Sequence, residues 1–383
     1  MYDWVVIGGG AAGVFGAISA ATRSSKVLLL EKSAVLLSKV RISGGGRCNV
    51  THSCFDPRML VSYYPRGSKE LLGPFHRFQP RDTMEWFISR GVALKTEADG
   101  RVFPASNDSE TIIRALLAEA ERVGVEIRLR QRVQAITKQD DHFEITLKEG
   151  ESLHCRKLLL AMGSSAEGHA LAAQLGHTIQ PPEPSLFTFN VPTSPLKELS
   201  GIAVEQVELK IAGTKLVQRG PLLITHFGFS GPAVLKLSAW GARTFFEQNY
   251  KVELLINWLP DLSEEEIFEE LQQPKIPRPF NLPKNLLKEL LGTSTQQRSK
   301  KELRALARRL HRDSYQIDGK TTNKEEFVTC GGVTLKEVDF QTMQSKICTN
   351  LFFAGEILDI DGVTGGFNFQ NAWTTSFIAG QSE

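Results

Sequence analysis

The sequence predicts an α/β protein with a parallel sheet that is interrupted by a β-rich insertion and completed by the C-terminal segment. Three observations predict it. Residues 1–32 read as strand, glycine turn, helix, strand and acid. From Leu186 to about Leu259 the pattern changes to short alternating strands. A last apolar run, Leu351-Phe352-Phe353, ends in Gly355-Glu356 and leads into a final helix.

Tyr2 to Ile7 is apolar but too short for a helix. Gly8, Gly10 and Gly13, with Ala11 and Ala12 between them, fill the three glycine positions of a dinucleotide turn. The first permits the tight turn, the second lets backbone approach a pyrophosphate, and the third lets helix pack on strand. Backbone N–H groups and the helix dipole then face the phosphates. Glu31 follows the second strand, eighteen residues past Gly13, near the roughly 20 expected of an acid that binds a ribose hydroxyl. That acid disfavours the extra phosphate of NADP and leaves NAD-like and FAD-like ligands open.

Bulk properties narrow the class. A chain of 383 residues can hold two or three cores. It is 41% hydrophobic and 23% charged, with formal net charge +2, so charge gives no reason to expect nucleic acid or an anionic membrane as partner. No apolar run approaches the roughly 18–20 residues of a membrane span. The N-terminus enters a strand without the basic start of a signal peptide. Cys48, Cys54, Cys155, Cys330 and Cys348 show neither C-x-x-C nor metal-ligand spacing, which predicts reduced thiols, no metal and a cytoplasmic setting.

Ser33 to Arg41 reads as a loop. Gly44-Gly45-Gly46-Arg47-Cys48-Asn49 follows, where bare backbone would let a flat or phosphorylated ligand lie close. Arg47 could pair with a phosphate or stack on a ring, Asn49 could donate and accept, and Cys48 reads as packing. Residues 56–100 read as surface loops with one helix from Pro80 to Arg90. Ile112, Ile113, Leu116, Leu117 and Ala120 mark a helix that Gly124 ends. Val125–Leu129, Val133–Ile136 and Phe143–Leu147 read as a three-stranded meander inserted in the sheet. Lys157 to Leu160 is a buried strand ending in Ala161-Met162-Gly163, small enough to bring backbone to the ligand. His169 and His177 read as surface or cap residues.

Pro181-Pro182-Glu183-Pro184 marks a boundary. In the β-rich part, Gly228-Phe229-Ser230-Gly231 is not a nucleophile elbow, which argues against a serine hydrolase. His226, in a glycine-rich loop, could face a substrate pocket, although a lone histidine is more often structural. Ser263 and Glu266 have capping-box spacing, and a joint at Pro274, Pro277, Pro279 and Pro283 follows. Residues 298–312 carry seven Lys/Arg against one Glu; this basic helix reads as a solvated face pairing with the acidic helix, rather than an RNA contact.

The closing segment decides the cofactor. Glu356 suits a polyol hydroxyl chain, and Gly365-Gly366 opens the last helix with its positive dipole end. A reduced flavin carries negative charge that such an end stabilises, and NAD offers neither polyol nor charge. FAD is the expected cofactor.

Three blocks carry a family resemblance: Ser43 through Asn49; Thr225-His226 with Ser230 to Ala233; and Gly355-Glu356 through Gln370. The chain resembles the aminoacetone-oxidase-family, BaiN-like NAD(P)/FAD-dependent oxidoreductases of bacteria. It differs in keeping only Lys39 of a Gly-Arg-Lys run, and in Met162-Gly163-Ser164 where Thr-Gly-Gly is usual. The resemblance implies a Rossmann-like FAD-binding domain split in sequence, with an inserted β-rich (barrel-like) domain and a small helical domain. Boundaries follow at 1–184, 185–260, 261–313, 314–328 and 329–383. The expected cofactor contacts are Gly8, Gly10, Ala11, Ala12, Gly13, Glu31, Lys32, Lys39, Gly44, Gly45, Gly46, Arg47, Cys48, Asn49, Val133, Ala161 and Gly163. In the closing segment they are Gly355, Glu356, Asp361, Gly365, Gly366, Phe367, Asn368, Phe369 and Gln370. The expected activity is an FAD-dependent oxidoreductase passing hydride through flavin N5, with NAD(P)H as transient donor and a small organic acceptor. The β-rich domain is expected to roof the flavin. The alternatives are an oxidase using oxygen and an RNA-directed or non-catalytic flavoprotein. Substrate, catalytic residues and oligomeric state are not legible.

Overall fold

Runs of four to six apolar residues cannot close enough helical turns to stand alone, and in the computed structural model they pair as strands. The structure describes residues 1–24, 26–273, 280–292, 298–321 and 328–382. Two units are distinct: Met1–Pro182 with Val328–Glu383, and Glu183–Phe327.

The first unit contains β1 (Tyr2–Ile7), α1 (Ala11–Ala21), β2 (Val27–Leu30), α2 (Ser38–Gly46), α3 (Ser68–Arg77), α4 (Pro80–Ile88) and α5 (Ser109–Arg122). It continues with β3 (Glu126–Arg128), β4 (Val133–Lys138), β5 (Phe143–Leu147), β6 (Ser152–Leu160) and α6 (Ala166–Gln174). The second unit supplies β7 (Thr188–Asn190), β8 (Ala203–Ile211), β9 (Val217–Thr225), β10 (Gly228–Ser230), α7 (Pro232–Glu247) and β11 (Lys251–Asn257). Then come α8 (Glu264–Leu271), α9 (Lys284–Leu291), α10 (Lys300–His311) and β12 (Asp313–Asp318). The first unit closes with β13 (Leu351–Phe353) and α11 (Phe367–Gly380).

Five of its strands run parallel in the order β13–β6–β1–β2–β3. Ile7 pairs with Leu30 and with Leu160, and Leu160 pairs with Phe353. Four strand ends therefore lie level, and Gly8, Glu31, Ala161 and Ala354 leave the sheet along one edge. β6 changes partner along its length, antiparallel to β5 up to Cys155 and parallel to β1 beyond it.

Several local expectations are corrected. The meander is β4–β5–β6, because β3 pairs parallel with β2 instead. A three-residue strand carries too little alternation to distinguish the two. The expected loop at 33–41 becomes helical from Ser38: Leu37, with φ 59°, donates its N–H to the Gly9 carbonyl at 2.8 Å and anchors the start of α2. Between residues 56 and 100 stand three α-helices, Pro57–Leu60, α3 and α4, and a 3-10 turn at Val61–Tyr63; residues 94–96 pair into a small antiparallel sheet with 51–52 and 101–104. Pro74 hides α3 from sequence reading, yet it is buried there with Leu71 and Phe75. Tertiary burial thus outweighs a propensity penalty of about 3 kcal/mol. His169 and His177 are buried, not superficial. The His177 ring bridges Glu337 at 3.1 Å and Ser345 at 2.8 Å. Burial holds both imidazoles below the ordinary histidine range.

The second unit is a seven-stranded antiparallel sheet, ordered β12–β11–β8–β9–β10–β7 with residues 320–321 at the edge. Leu209, Ile224 and Phe229 of the sheet share one core with Phe268, Leu287 and Leu310 of the helices. The described helices of 261–313, expected as a small helical domain, thus bury their apolar faces against the sheet. The Ser263–Glu266 capping box forms at its start. Arg304 donates to Glu265 at 3.0 and 3.2 Å and Arg308 lies 3.5 Å from Glu264, so the basic helix α10 pairs with the acidic α8. Pro274, Pro277, Pro279 and residues 322–327 lie outside the described residues. No described helix is long and apolar enough to cross a membrane.

Candidate cofactor site

Small residues let α1 and α11 touch along their length. A Cβ on Gly355 would stand 2.9 Å from the Ala12 Cβ and 3.8 Å from the Ala372 Cβ. One on Gly16 would lie 3.3 Å from the Ser376 Cβ, and one on Gly380 would lie 2.7 Å from the Ala20 nitrogen. Positions 12, 16 and 20 therefore track 372, 376 and 380, and the helices run parallel. Both positive ends face the same sheet edge. Their N-caps, Gly10 and Gly366, offer no side-chain cap, and neither first turn carries an acid. Two adjacent ends of about half a positive charge each repel one another, and a bound anion removes that repulsion.

The glycines divide by role. A Cβ on Gly13 would lie 1.7 Å from the Gly8 carbonyl oxygen, and one on Gly8, at φ +113°, would lie 2.4 Å from the Ala161 oxygen. Those two are required for packing. Cβ atoms on Gly10, Gly45 and Gly46 would meet nothing within 4 Å. At Gly45 and Gly46, with φ +68° and +83°, left-handed backbone also calls for glycine; Gly10, at φ −84°, is left bare without that need, as a cofactor lying on backbone would require.

Polar groups line the same edge. Glu31 accepts from the Gly9 N–H at 2.6 Å and the Ser33 N–H at 2.8 Å, which aims its carboxylate. Gln131 donates to the Glu31 carbonyl at 2.9 Å and Arg130 to that of Ser33 at 3.0 Å, folding the approach to Val133 over the end of β2. Lys39 pairs with Glu356 at 2.8 Å, and a Cβ on Gly163 would lie 3.8 Å from the same carboxylate. Lys32 pairs with Glu167 at 2.9 Å.

The 44–49 turn leaves α2 through left-handed backbone at Gly44, Gly45, Gly46 and Cys48. Burial pushes the Cys48 thiol up to about 12, so it stays protonated and fills space. Arg47 stacks 4.0 Å over the Phe103 ring and pairs with Glu97 at 2.7 Å. These two partners hold its guanidinium beside the turn. With its amide oriented to suit its neighbours, Asn49 accepts from Gly366 N–H at 2.9 Å and donates to the Thr51 carbonyl at 3.0 Å. It ties this turn to the start of α11.

Three closing residues point elsewhere. Asp361 is buried in an ion pair with Arg66. Gln370 is fully buried: its oxygen accepts from Thr51 at 2.6 Å and Thr83 at 2.9 Å, and its nitrogen donates to Thr374 at 3.0 Å. Phe369 stacks on Trp373 at 5.7 Å. Asp361 and Gln370 form framework beneath the edge, Phe369 is half-buried, and Asn368 locks the preceding turn by pairing twice with Gly362 at 2.7 and 2.9 Å. Sequence reading missed Arg66, and it missed Asn371, whose buried amide has no partner among the described residues. Neither stands in a pattern that marks it, since the chain before Arg66 ends a 3-10 turn at Tyr63 and Arg66 joins the Asp361 backbone only through an isolated bridge. Among the described residues no three His, Cys, Asp or Glu side chains could hold a metal ion.

Residues 2–382 match the family described as HI0933-like protein Rossmann domain. The chain belongs to this family. The HI0933-like chain is 32% identical to the ribosomal RNA dihydrouridine synthase of Escherichia coli K12, over 99% of this chain and 97% of the relative. It is 27% identical to the 3-dehydro-bile acid delta(4,6)-reductase of Clostridium scindens, over 98% of each. Its fold is that of the 3-ketosteroid-delta4-(5alpha)-dehydrogenase of Rhodococcus jostii RHA1, with TM-score 0.54 and 16% identity over 100% of this chain and 97% of that one. This HI0933-like protein is a Rossmann flavoprotein of the FAD-dependent oxidoreductases, as the resemblance implied, and FAD is its cofactor.

Proposed function

We propose that the chain is a reductase that saturates a carbon–carbon double bond conjugated to a carbonyl, with NAD(P)H as donor and a small organic acceptor. One observation carries this reading. Relatives matched along their whole length are named for different substrates but for one kind of reduction. A delta(4,6) 3-dehydro steroid and a uracil ring each present an alkene activated by a carbonyl.

Bound FAD supplies hydride transfer through its N5. In this reading the open backbone of Gly10, Gly45 and Gly46 receives the cofactor, and the paired starts of α1 and α11 offset its anionic parts. Glu31 takes a ribose hydroxyl, Glu356 takes the polyol, and Lys39 stands by the phosphates. The sequence holds one dinucleotide turn, so the nicotinamide donor binds transiently. His226 lies exposed on the β9–β10 turn and is the acceptor-facing candidate of the second unit. Unchanged turnover in His226→Ala would remove it from that role.

A second reading places the alkene in a uridine of RNA. The Escherichia coli relative favours it, as do Lys300 and Lys301, exposed on α10 without acidic partners among the described residues.

Anaerobic titration of the FAD-loaded protein with NADH and then NADPH, followed by an acceptor, tests both. Bleaching by a nicotinamide and recovery with 2-cyclohexenone support the first reading. Recovery only with unmodified ribosomal RNA, lost at high salt, supports the second. A flavin that nicotinamide never bleaches, or that only oxygen restores with hydrogen peroxide released, overturns both.

A further inference from the structure

Saturating a conjugated alkene needs two deliveries, hydride at the β-carbon and a proton at the α-carbon. The residues described so far hold a cofactor; none has been given the proton.

Tyr63 is placed to give it. The segment from Tyr63 to Arg66 runs beside the loop before α11: the Tyr63 carbonyl accepts from Val363 N–H at 3.0 Å, and Arg66 bridges to Asp361. The Tyr63 ring stacks on Phe367, the first residue of α11, at 4.3 Å and 11°. Phe367 in turn stacks against His52 at 4.8 Å, and a Cβ on Gly365 would lie 2.7 Å from the Phe367 ring. These rings therefore wall the Gly365–Gly366 turn. The adjacent Tyr64 spends its hydroxyl on the Phe367 carbonyl at 2.6 Å. His52 spends its Nε2–H on the Asp99 carbonyl at 3.0 Å, since a carbonyl can only accept. The Tyr63 hydroxyl has no partner among the described residues, although the ring that carries it is half-buried and clamped. That hydroxyl is not buried, so it is open to a ligand at this wall.

We propose that Tyr63 is the general acid of the reaction; this rests on the reductase reading above. As hydride forms the new bond at the β-carbon, the alkene π pair takes the Tyr63 proton at the α-carbon. The O–H electrons stay on the Tyr63 oxygen, which recovers a proton from water. One hydride and one proton are consumed per double bond, and reduced FAD is the reductant. General acids of this kind contribute about 10²–10⁴-fold.

The test uses FAD-loaded wild type and Tyr63→Phe, which keeps the stacked ring; the flavin spectrum verifies loading of both. Each is reduced with dithionite and mixed anaerobically with 2-cyclohexenone or with unmodified ribosomal RNA. Reoxidation is expected to slow about 100-fold in Tyr63→Phe. Independently, p-chlorophenol, whose phenolate resembles the charge that builds on the acceptor, is titrated into the oxidised proteins. Its affinity is expected to fall about tenfold without the Tyr63 hydroxyl, the loss of one hydrogen bond to a charged oxygen. Wild-type reoxidation by Tyr63→Phe overturns the assignment, as does an unchanged phenol affinity. If neither acceptor reoxidises wild type, the reductase reading falls and the acid role falls with it. A phenol affinity that still depends on Tyr63 would then locate an anion-binding group at this wall.

Discussion

The Lys39 ammonium lies 2.8 Å from the Glu356 carboxylate, joining α2 to the turn after β13. Lys39 is 61% exposed, so the pair contributes about 0–1 kcal/mol to folding. Its place beside Gly163, at the edge where the glycine turns gather, gives it another use: the lysine can share its charge with a bound pyrophosphate. Lys39→Met is expected to leave the urea midpoint nearly unchanged and to weaken FAD binding about tenfold at low salt, with a smaller loss at high salt. Flavin fluorescence on dilution measures it. Equal affinity at low salt would reduce Lys39 to a surface ion pair.

Gly10 and Gly13 separate folding from cofactor binding within a single turn. A Cβ at 13 collides with the Gly8 carbonyl at 1.7 Å, whereas one at 10 meets nothing within 4 Å. Gly10 also has an ordinary φ of −84°. Gly10→Ala should stay within about 0.5 kcal/mol of wild type in urea, yet bind FAD at least tenfold more weakly. Gly13→Ala should yield little folded protein. Full FAD affinity in Gly10→Ala would mean that the cofactor does not lie on this backbone.

How much of this was legible depends on how far apart the deciding residues lie. The start through Glu31 and the Gly355-Glu356 ending are read locally, since glycine spacing and a strand's terminal acid carry their own chemistry. The parallel order β13–β6–β1–β2–β3 also agrees with the expectation that the C-terminus returns to the first sheet. The start of α2 was not legible, because the Gly9 carbonyl sets it from twenty-eight residues away. The partners of Arg47 were not legible either, because Glu97 and Phe103, which engage its guanidinium, come from a distant stretch of chain. In such cases a side chain's chemistry was known but its partner was not.

Glu119 is nearly buried and is held by three guanidinium contacts, from Arg90 at 2.6 Å and Arg122 at 2.7 and 2.8 Å. The Arg122 hydrogen bonds, then those of Arg90, lower its carboxyl to about 2 against the opposing effect of burial. A depressed folded value stabilises the native state above the ordinary glutamate range, and this contribution is lost as pH falls through about 2. Glu119→Gln should cost about 2 kcal/mol at pH 7, and the gap should narrow steadily from pH 4.5 towards pH 2. Urea midpoints of both proteins across that window measure it; a constant gap would show that the ion pairs contribute nothing.

Gln370 poses the sharpest conflict between motif and structure. It stands at the end of a glycine-rich block where a ligand contact was expected, but its amide is consumed by Thr51, Thr83 and Thr374 inside the core. The three threonines come from the strand after the glycine turn, from α4 and from α11 itself, so one amide joins three elements under the candidate site. Gln370→Met keeps the volume and strands two buried hydroxyls, each costing about 1–3 kcal/mol when unsatisfied. The expected result is a loss of about 2–4 kcal/mol in urea, with FAD affinity of the folded protein within twofold of wild type. A variant of normal stability that binds FAD poorly would return Gln370 to the cofactor.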